Sequence, residues 1–316
     1  MPRPGPVTVV VFNPDEAQTY ARLIRAPRGR VRVRTAATVS EALQYVEEMD
    51  VLYTWGFPPK LLPNANRLRW IQVMGAGVDA FLDAPFPPRV TLTRVVDVFG
   101  PWMAEYTFGW LLWASQQTEH FRTAQRAQRW EPVTPTLLRG KTLGVVGLGS
   151  IGRTIARLGQ AFGMRVLGMN RSGRRVPEVE RVYRRAAVRE LLRASDYVVL
   201  VVPLTPETRG VLGDAELRAM RPGAWLVNIG RGALVQEDSL HRALRERWIA
   251  GAVLDVFVDE PLQAEHPFWD LPNVVVTPHV SGPNDPAEIA PVFNDNLQRF
   301  LQGRALRGRV DIRRGY

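Results

Sequence analysis

The sequence contains no cysteine, which excludes disulfide scaffolds, cysteine-ligated zinc and thiol nucleophiles together. Lysine is almost absent as well, since Lys60 and Lys141 stand against 39 arginines. No apolar stretch reaches the ~18 residues that a membrane span needs. The run at 7–12, behind a proline-rich start, is too short for a signal-peptide core. A cytoplasmic protein with no membrane partner is therefore expected. Histidine is scarce, at four residues, and no spacing of His, Asp and Glu reads as a metal site. Blocks of like charge are missing too. The formal net charge of +10 is spread along the chain with no run of five basic residues. Arginine distributed in this way reads as compositional bias rather than a binding stripe, so no nucleic-acid partner is expected.

What is present suits a globular chain, with 46% apolar and 23% charged residues over 316 positions. At ~150 residues per domain, that length suggests about two domains. Residues 7–12, 31–35, 51–54, 70–73 and 90–93 read as strands. Between the first of them, 15–25 has helical spacing, and Ser40 is placed to cap a second helix. This alternation predicts a parallel sheet covered by helices on both faces. Residues 102–129 carry an unbroken helical period and read as one long helix, followed by a loop at 130–135. A second series begins at Lys141, with strands at 142–146, 165–169, 197–201, 225–229, 252–255 and 274–277. Helices are expected at 151–162, 188–194, 214–220 and 236–247, and a last one at 287–301. The expected class is α/β, with two Rossmann/flavodoxin-like, doubly wound parallel-sheet domains. A dinucleotide-binding domain at 101–284 interrupts a substrate (catalytic) domain made of 1–100 and 285–316.

The run Gly147-Leu148-Gly149-Ser150-Ile151-Gly152 follows an apolar strand and opens a helix. In that context the three glycines serve a tight turn, a close approach of backbone to pyrophosphate, and helix–strand packing. The acidic residue that usually follows, and that binds the ribose 2′-hydroxyl of NAD, is missing. Asn170-Arg171-Ser172 stands there instead. Asparagine removes the repulsion a carboxylate would exert on a 2′-phosphate, and Arg171 and Ser172 can donate to one. NADP(H) is the expected cofactor, with NAD(H) as the alternative. The other reading of Arg171 is one more surface arginine in an arginine-rich chain.

Three further strand ends carry polar groups suited to catalysis. His279 follows residues 274–277 in Thr277-Pro278-His279-Val280-Ser281-Gly282. Arg231 lies in Asn228-Ile229-Gly230-Arg231-Gly232, and Glu260 in Asp255-Val256-Phe257-Val258-Asp259-Glu260-Pro261. An arginine can clamp a carboxylate with paired hydrogen bonds. A histidine can give and take a proton near neutral pH, and a nearby carboxylate favours its imidazolium form. The set suits reduction of a 2-keto acid.

These motifs, with Met74-Gly75-Ala76-Gly77-Val78-Asp79, Val202-Pro203-Leu204-Thr205-Pro206-Glu207-Thr208 and the ending Asp311-Ile312-Arg313-Arg314-Gly315-Tyr316, carry a resemblance. The sequence resembles the D-isomer-specific 2-hydroxyacid dehydrogenase family along essentially its whole length, and within it the glyoxylate/hydroxypyruvate reductase A branch. The resemblance implies that Arg231 binds the substrate carboxylate and keto oxygen. It implies that His279 is general acid in reduction and general base in oxidation, oriented and kept protonated by Glu260. Asp255 would meet the nicotinamide carboxamide. Gly147, Gly149, Ser150, Ile151, Gly152, Asn170, Arg171, Ser172, Pro203, Ile229 and Arg231 would complete the cofactor contacts. Ala76, Gly77 and Val78 would offer backbone N–H groups to the substrate carboxylate. Trp55 and Arg94 match positions near the substrate, with packing as the other reading of Trp55. In the family the substrate lies between the domains, and the loop holding Trp130 reaches a partner subunit, so a homodimer is implied. The partners are then a small 2-keto or 2-hydroxy acid and a second copy of the chain. Some proteins of this fold act instead as dinucleotide-sensing transcriptional corepressors, but the chain lacks a basic cluster that would favour that role.

Overall fold

The computed structural model describes residues 5–82, 89–312 and 314–315. Residues 1–4, and Arg313 and Tyr316 of the ending motif, lie outside the described residues. The chain divides into two compact units, Met1–Val98 with Asn284–Tyr316, and Phe99–Pro283.

In the smaller unit, β-branched and aromatic runs form β1 (Val7–Phe12), β2 (Val31–Ala36), β3 (Val51–Thr54), β4 (Trp70–Val73) and β5 (Thr91–Thr93). All pairings are parallel, in the order β2-β1-β3-β4-β5. Every residue of β3 and β4 is buried, as expected of central strands covered on both faces. The helices of the first hundred residues are short: α1 (Ala17–Arg22), α2 (Val39–Leu43) and α3 (Asp79–Leu82). A longer helix, Pro286–Leu301, returns to the same unit. From it Phe293 enters the core, stacked on Tyr53 at 4.0 Å and on Trp70 at 5.1 Å between ring centroids.

The cap of α2 is Thr38, not the expected Ser40. Its side chain accepts from the Glu41 N–H at 3.2 Å, and the Glu41 carboxylate reaches back to the Ala37 N–H at 2.9 Å. Thr38 has extended backbone angles, whereas Ser40 already lies inside the helix. Thr38→Ala is expected to cost about 1 kcal/mol of stability in urea unfolding. Ser40→Ala should stay within about 0.5 kcal/mol. Equal losses would return the cap to Ser40.

The larger unit holds β6 (Thr142–Val146), β7 (Arg165–Met169), β8 (Arg181–Tyr183), β9 (Tyr197–Leu200), β10 (Trp225–Asn228), β11 (Gly251–Leu254) and β12 (Val274–Val276). They form one sheet in the order β12-β11-β10-β9-β6-β7-β8, again entirely parallel. The order reverses between β6 and β9, the switch point where open sheets of this kind bind ligands. Its helices are α4 (Gly100–Ser115), α5 (Thr118–Arg126), α6 (Ser150–Ala161), α7 (Val188–Ala194), α8 (Asp214–Leu217) and α9 (Glu237–Arg245), and the returning helix of the smaller unit is α10.

Two local expectations need correction. Residues 102–129 do not form one helix, because the chain breaks between α4 and α5 at Gln117, which has φ +55°. The Ser115 carbonyl, which a continuous helix would pair four residues ahead, accepts instead from the Thr136 N–H at 2.8 Å. A competing donor from a distant loop thus ends the helix without glycine or proline. Edge strand β8 has only three residues, one of them buried, and left no alternating signal. Among the described residues no helix is long and apolar enough to cross a membrane.

Candidate active site

Because the seven strands of the larger unit are parallel, their carboxyl ends share one edge, and the candidate residues cluster in the segments leaving that edge. The turn from β6 into α6 uses each glycine differently. Gly147 has φ +114°, and a Cβ there would lie 2.7 Å from the Val201 carbonyl oxygen. At Gly152 a Cβ would sit 1.8 Å from the Gly147 oxygen, so helix and turn could not pack. A Cβ on Gly149 would meet nothing within 4 Å. Gly149 is also the N-cap of α6, and Ser150 and Ile151 begin its first turn. Their N–H groups have no acceptor further back in the helix, and the helix dipole favours an anion there. The donor set and the open space beside Gly149 fit a pyrophosphate.

After β7 the Asn170 side chain is used to build a turn. Its Oδ1 accepts from the Gly173 N–H at 2.6 Å and from the Ser172 hydroxyl at 3.2 Å, while its Nδ2 donates to the Arg174 carbonyl at 3.0 Å. Ser172 Oγ accepts in turn from the Arg174 N–H at 3.2 Å. The turn presents Arg171 at the surface, and the Arg184 side chain lies against Gly173. Nearby, a hydrogen bond from Thr205 and the charges of Arg171 and Arg185 hold the Glu207 carboxyl below its usual range. Pro203 is exposed, and its carbonyl accepts from the Thr208 hydroxyl at 2.7 Å. Ile229 is buried, with its N–H on the Leu200 carbonyl at 3.2 Å.

His279 and Glu260 meet directly, with Nδ1 2.7 Å from Oε2. The second carboxylate oxygen of Glu260 accepts from the Phe257 N–H at 2.9 Å. An ionised carboxylate only accepts, so the His279 proton at this contact is on Nδ1 and Nε2 faces outward. The histidine side chain remains 46% exposed, open to a ligand. Arg231 is held through its own backbone: Asn228, 1% exposed, donates from Nδ2 to the Arg231 carbonyl at 2.9 Å and accepts the Gly230 N–H at 3.2 Å. The next residue, Gly232, packs flat on the Phe257–Val258 peptide, where a Cβ would come within 2.0 Å of the Phe257 carbonyl carbon. This close approach brings the arginine segment beside the segment that carries Glu260. Asn228 and Gly232 were not singled out in the sequence, although both stand in the motif around Arg231.

Asp255, expected at the nicotinamide, is fully buried. Its carboxylate accepts from the Thr277 hydroxyl at 2.6 Å, the Val280 N–H at 2.9 Å and the Ser281 N–H at 2.9 Å. In this structure it holds the turn on either side of His279.

In the smaller unit, the loop after β4 is fixed from one side. The Gly75 carbonyl accepts from the Val95 N–H at 3.0 Å, and the Ala76 carbonyl accepts from Arg94 Nη1 at 3.1 Å. In a planar trans peptide the N–H opposes the C=O. The N–H groups of Ala76 and Gly77 therefore point away from the Val95 N–H and the Arg94 guanidinium. Burial pulls the Arg94 guanidinium below its usual range, against the opposing charge of Asp97. Trp55 lies over Gly75, where a Cβ would be 2.7 Å from its ring, yet stays 42% exposed. The Val78 side chain belongs to the hydrophobic core.

A family model described as "D-isomer specific 2-hydroxyacid dehydrogenase, NAD binding domain" matches residues 108–281. A glyoxylate reductase of Aeropyrum pernix is 38% identical over 278 residues, covering 83% of each chain. Glyoxylate/hydroxypyruvate reductase A of Serratia proteamaculans is 32% identical over 274 residues, covering 84% of this chain and 88% of its own. Among solved structures, an NADPH-dependent glyoxylate/hydroxypyruvate reductase of Sinorhizobium meliloti, in complex with NADP and sulfate, superposes with a TM-score of 0.90. It is 30% identical and covers 98% of this chain and 100% of its own. The parallel sheets, the glycine turn and these likenesses agree: the chain belongs to the D-isomer specific 2-hydroxyacid dehydrogenase family of NAD(P)-dependent oxidoreductases.

Proposed function

We propose that this protein uses NADPH to reduce small 2-keto acids, such as glyoxylate or hydroxypyruvate, to D-2-hydroxy acids in the cytoplasm. The observation that carries this reading is the 2.7 Å Glu260–His279 pair, on the sheet edge that also bears Arg231 and the glycine turn. The names of the relatives from Aeropyrum pernix and Serratia proteamaculans support the substrate class.

The residues fit a dinucleotide, since the space beside Gly149 is open and the first turn of α6 offers N–H donors. Gly147, Gly149, Ser150, Ile151 and Gly152 would hold its pyrophosphate, and the Asn170–Ser172 turn its adenosine end. When bound, the dinucleotide supplies the hydride that the keto carbon accepts. The protein does the rest. Glu260 accepts from Nδ1 of His279 and orients the ring, so that Nε2 would hand a proton to the keto oxygen. In the reverse direction Nε2 takes that proton back. Arg231 offers a planar guanidinium to the substrate carboxylate and keto oxygen. In the smaller unit, the paired N–H groups of Ala76 and Gly77 form an anion-binding element for a carboxylate.

NADPH is favoured because no carboxylate follows β7 and Arg171 is presented on the Asn170 turn. Trp130, 97% exposed, and Leu137, 69% exposed, support a homodimer formed through that loop. No observation favours the corepressor reading. Turnover of glyoxylate and hydroxypyruvate with each reduced cofactor tests the proposal. NADPH should give the higher kcat/KM, and Arg171→Ala should erode that preference by roughly 10- to 100-fold, the scale of a charge-assisted hydrogen bond. A preference for NADH in the native protein would refute the cofactor assignment.

A further inference from the structure

We infer that Tyr106, on α4, is a positioning residue for His279 and acts through Thr277 and Asp255. The inference rests on the reading of His279 as the proton donor. Asp255 is a carboxylate with no solvent exposure, and such a group persists only where donors surround it. Two of its donors are the N–H groups of Val280 and Ser281, and its main-chain carbonyl takes the N–H of His279 at 2.9 Å. All three N–H groups of the turn thus reach one residue, that of His279 being shared with the Thr277 carbonyl at 3.1 Å. The turn needs this hold. His279 has φ +54°, a left-handed conformation that costs a non-glycine residue roughly 1–2 kcal/mol.

The third donor is the Thr277 hydroxyl, 2.6 Å from Asp255 Oδ1. Thr277 has a single hydroxyl proton, and the carboxylate can only accept, so that proton lies on the Asp255 side. The same oxygen is 2.6 Å from the Tyr106 hydroxyl. Tyr106 must therefore donate, and the chain runs in one direction from Tyr106 to Thr277 to Asp255 to the His279 turn. Burial pushes the Tyr106 phenol up, so it keeps the proton it donates. Tyr106 stands on a sixteen-residue helix packed against α6, which makes it a rigid anchor. It fixes the Thr277 rotamer, and the rotamer keeps the third donor on Asp255.

Tyr106→Phe, Thr277→Val and Thr277→Ser test this in the full-length protein. Tyr106→Phe and Thr277→Val should each lower kcat by roughly 3- to 10-fold, the scale of one lost hydrogen bond. The KM for keto acid and the dissociation constant for NADPH should not change. Thr277→Ser, which keeps the hydroxyl, should restore turnover. The double variant Tyr106→Phe/Thr277→Val should match Thr277→Val alone, because the tyrosine acts only through the threonine. Amide hydrogen exchange at His279, Val280 and Ser281 should accelerate in Tyr106→Phe and in Thr277→Val, a readout that needs no turnover. Native exchange at these amides in Tyr106→Phe, or multiplicative losses in the double variant, would overturn the inference. Absence of keto-acid reduction by the native protein would instead overturn the proposed function, and the exchange measurement would still decide the role of Tyr106.

Discussion

Replacing His279 by alanine is expected to lower kcat by ~10²–10⁴-fold, the contribution of a positioned general acid. The loss should fall on the chemical step. His279 Nε2 is the outward-facing group of a histidine whose other nitrogen is committed to Glu260 at 2.7 Å. Affinity for NADPH, measured by fluorescence titration, should match the native protein, because the glycine turn draws nothing from this side chain. Glu260→Gln gives a graded companion. An amide oxygen can still accept from Nδ1–H and orient the ring but lacks the carboxylate's charge, so turnover should fall less than in His279→Ala. Near-native turnover in His279→Ala would remove the residue from the mechanism.

Alanine at Gly149 and at Gly152 should separate ligand space from folding. At Gly149 the added carbon meets no protein atom within 4 Å and the backbone is not left-handed. Gly149→Ala should therefore melt at the native temperature yet bind NADPH more weakly, since the methyl enters the space assigned to pyrophosphate. At Gly152 the same carbon would lie 1.8 Å from the Gly147 oxygen. Relieving that contact forces turn and helix apart, an overpacking cost of about 1–3 kcal/mol. The melting temperature should fall, and NADPH affinity with it, because the displaced turn no longer presents its N–H groups to the pyrophosphate. Native NADPH binding by Gly149→Ala would move the cofactor away from the turn.

The parallel sheets were legible because their strands are β-branched apolar runs punctuated by helical segments, and the turn at Gly147–Gly152 because glycine is demanded there by sterics. What escaped was decided by atoms far apart in sequence. The break at Gln117 depends on the Thr136 N–H taking the Ser115 carbonyl, which no helical period reveals. Tyr106 meets Thr277 across 171 residues of chain. The place of Asp255 at the nicotinamide came from the resemblance alone. Its partners at Thr277, Val280 and Ser281 lie 22 to 26 residues further along the chain, beyond any local pattern. Position along the sequence identified the strand ends, but the direction of each side chain was set by which donors the fold brought near.

Phe293 has a consequence for the order in which the protein is made. On the ribosome, β1 to β5 emerge first, yet the ring that stacks on Tyr53 and Trp70 belongs to Pro286–Leu301. The entire Phe99–Pro283 unit must be synthesised in between. The first sheet to leave the exit tunnel is therefore the last to be completed. A nascent chain stalled anywhere in that interval carries two large aromatic rings without their cover, a surface for chaperones to shield.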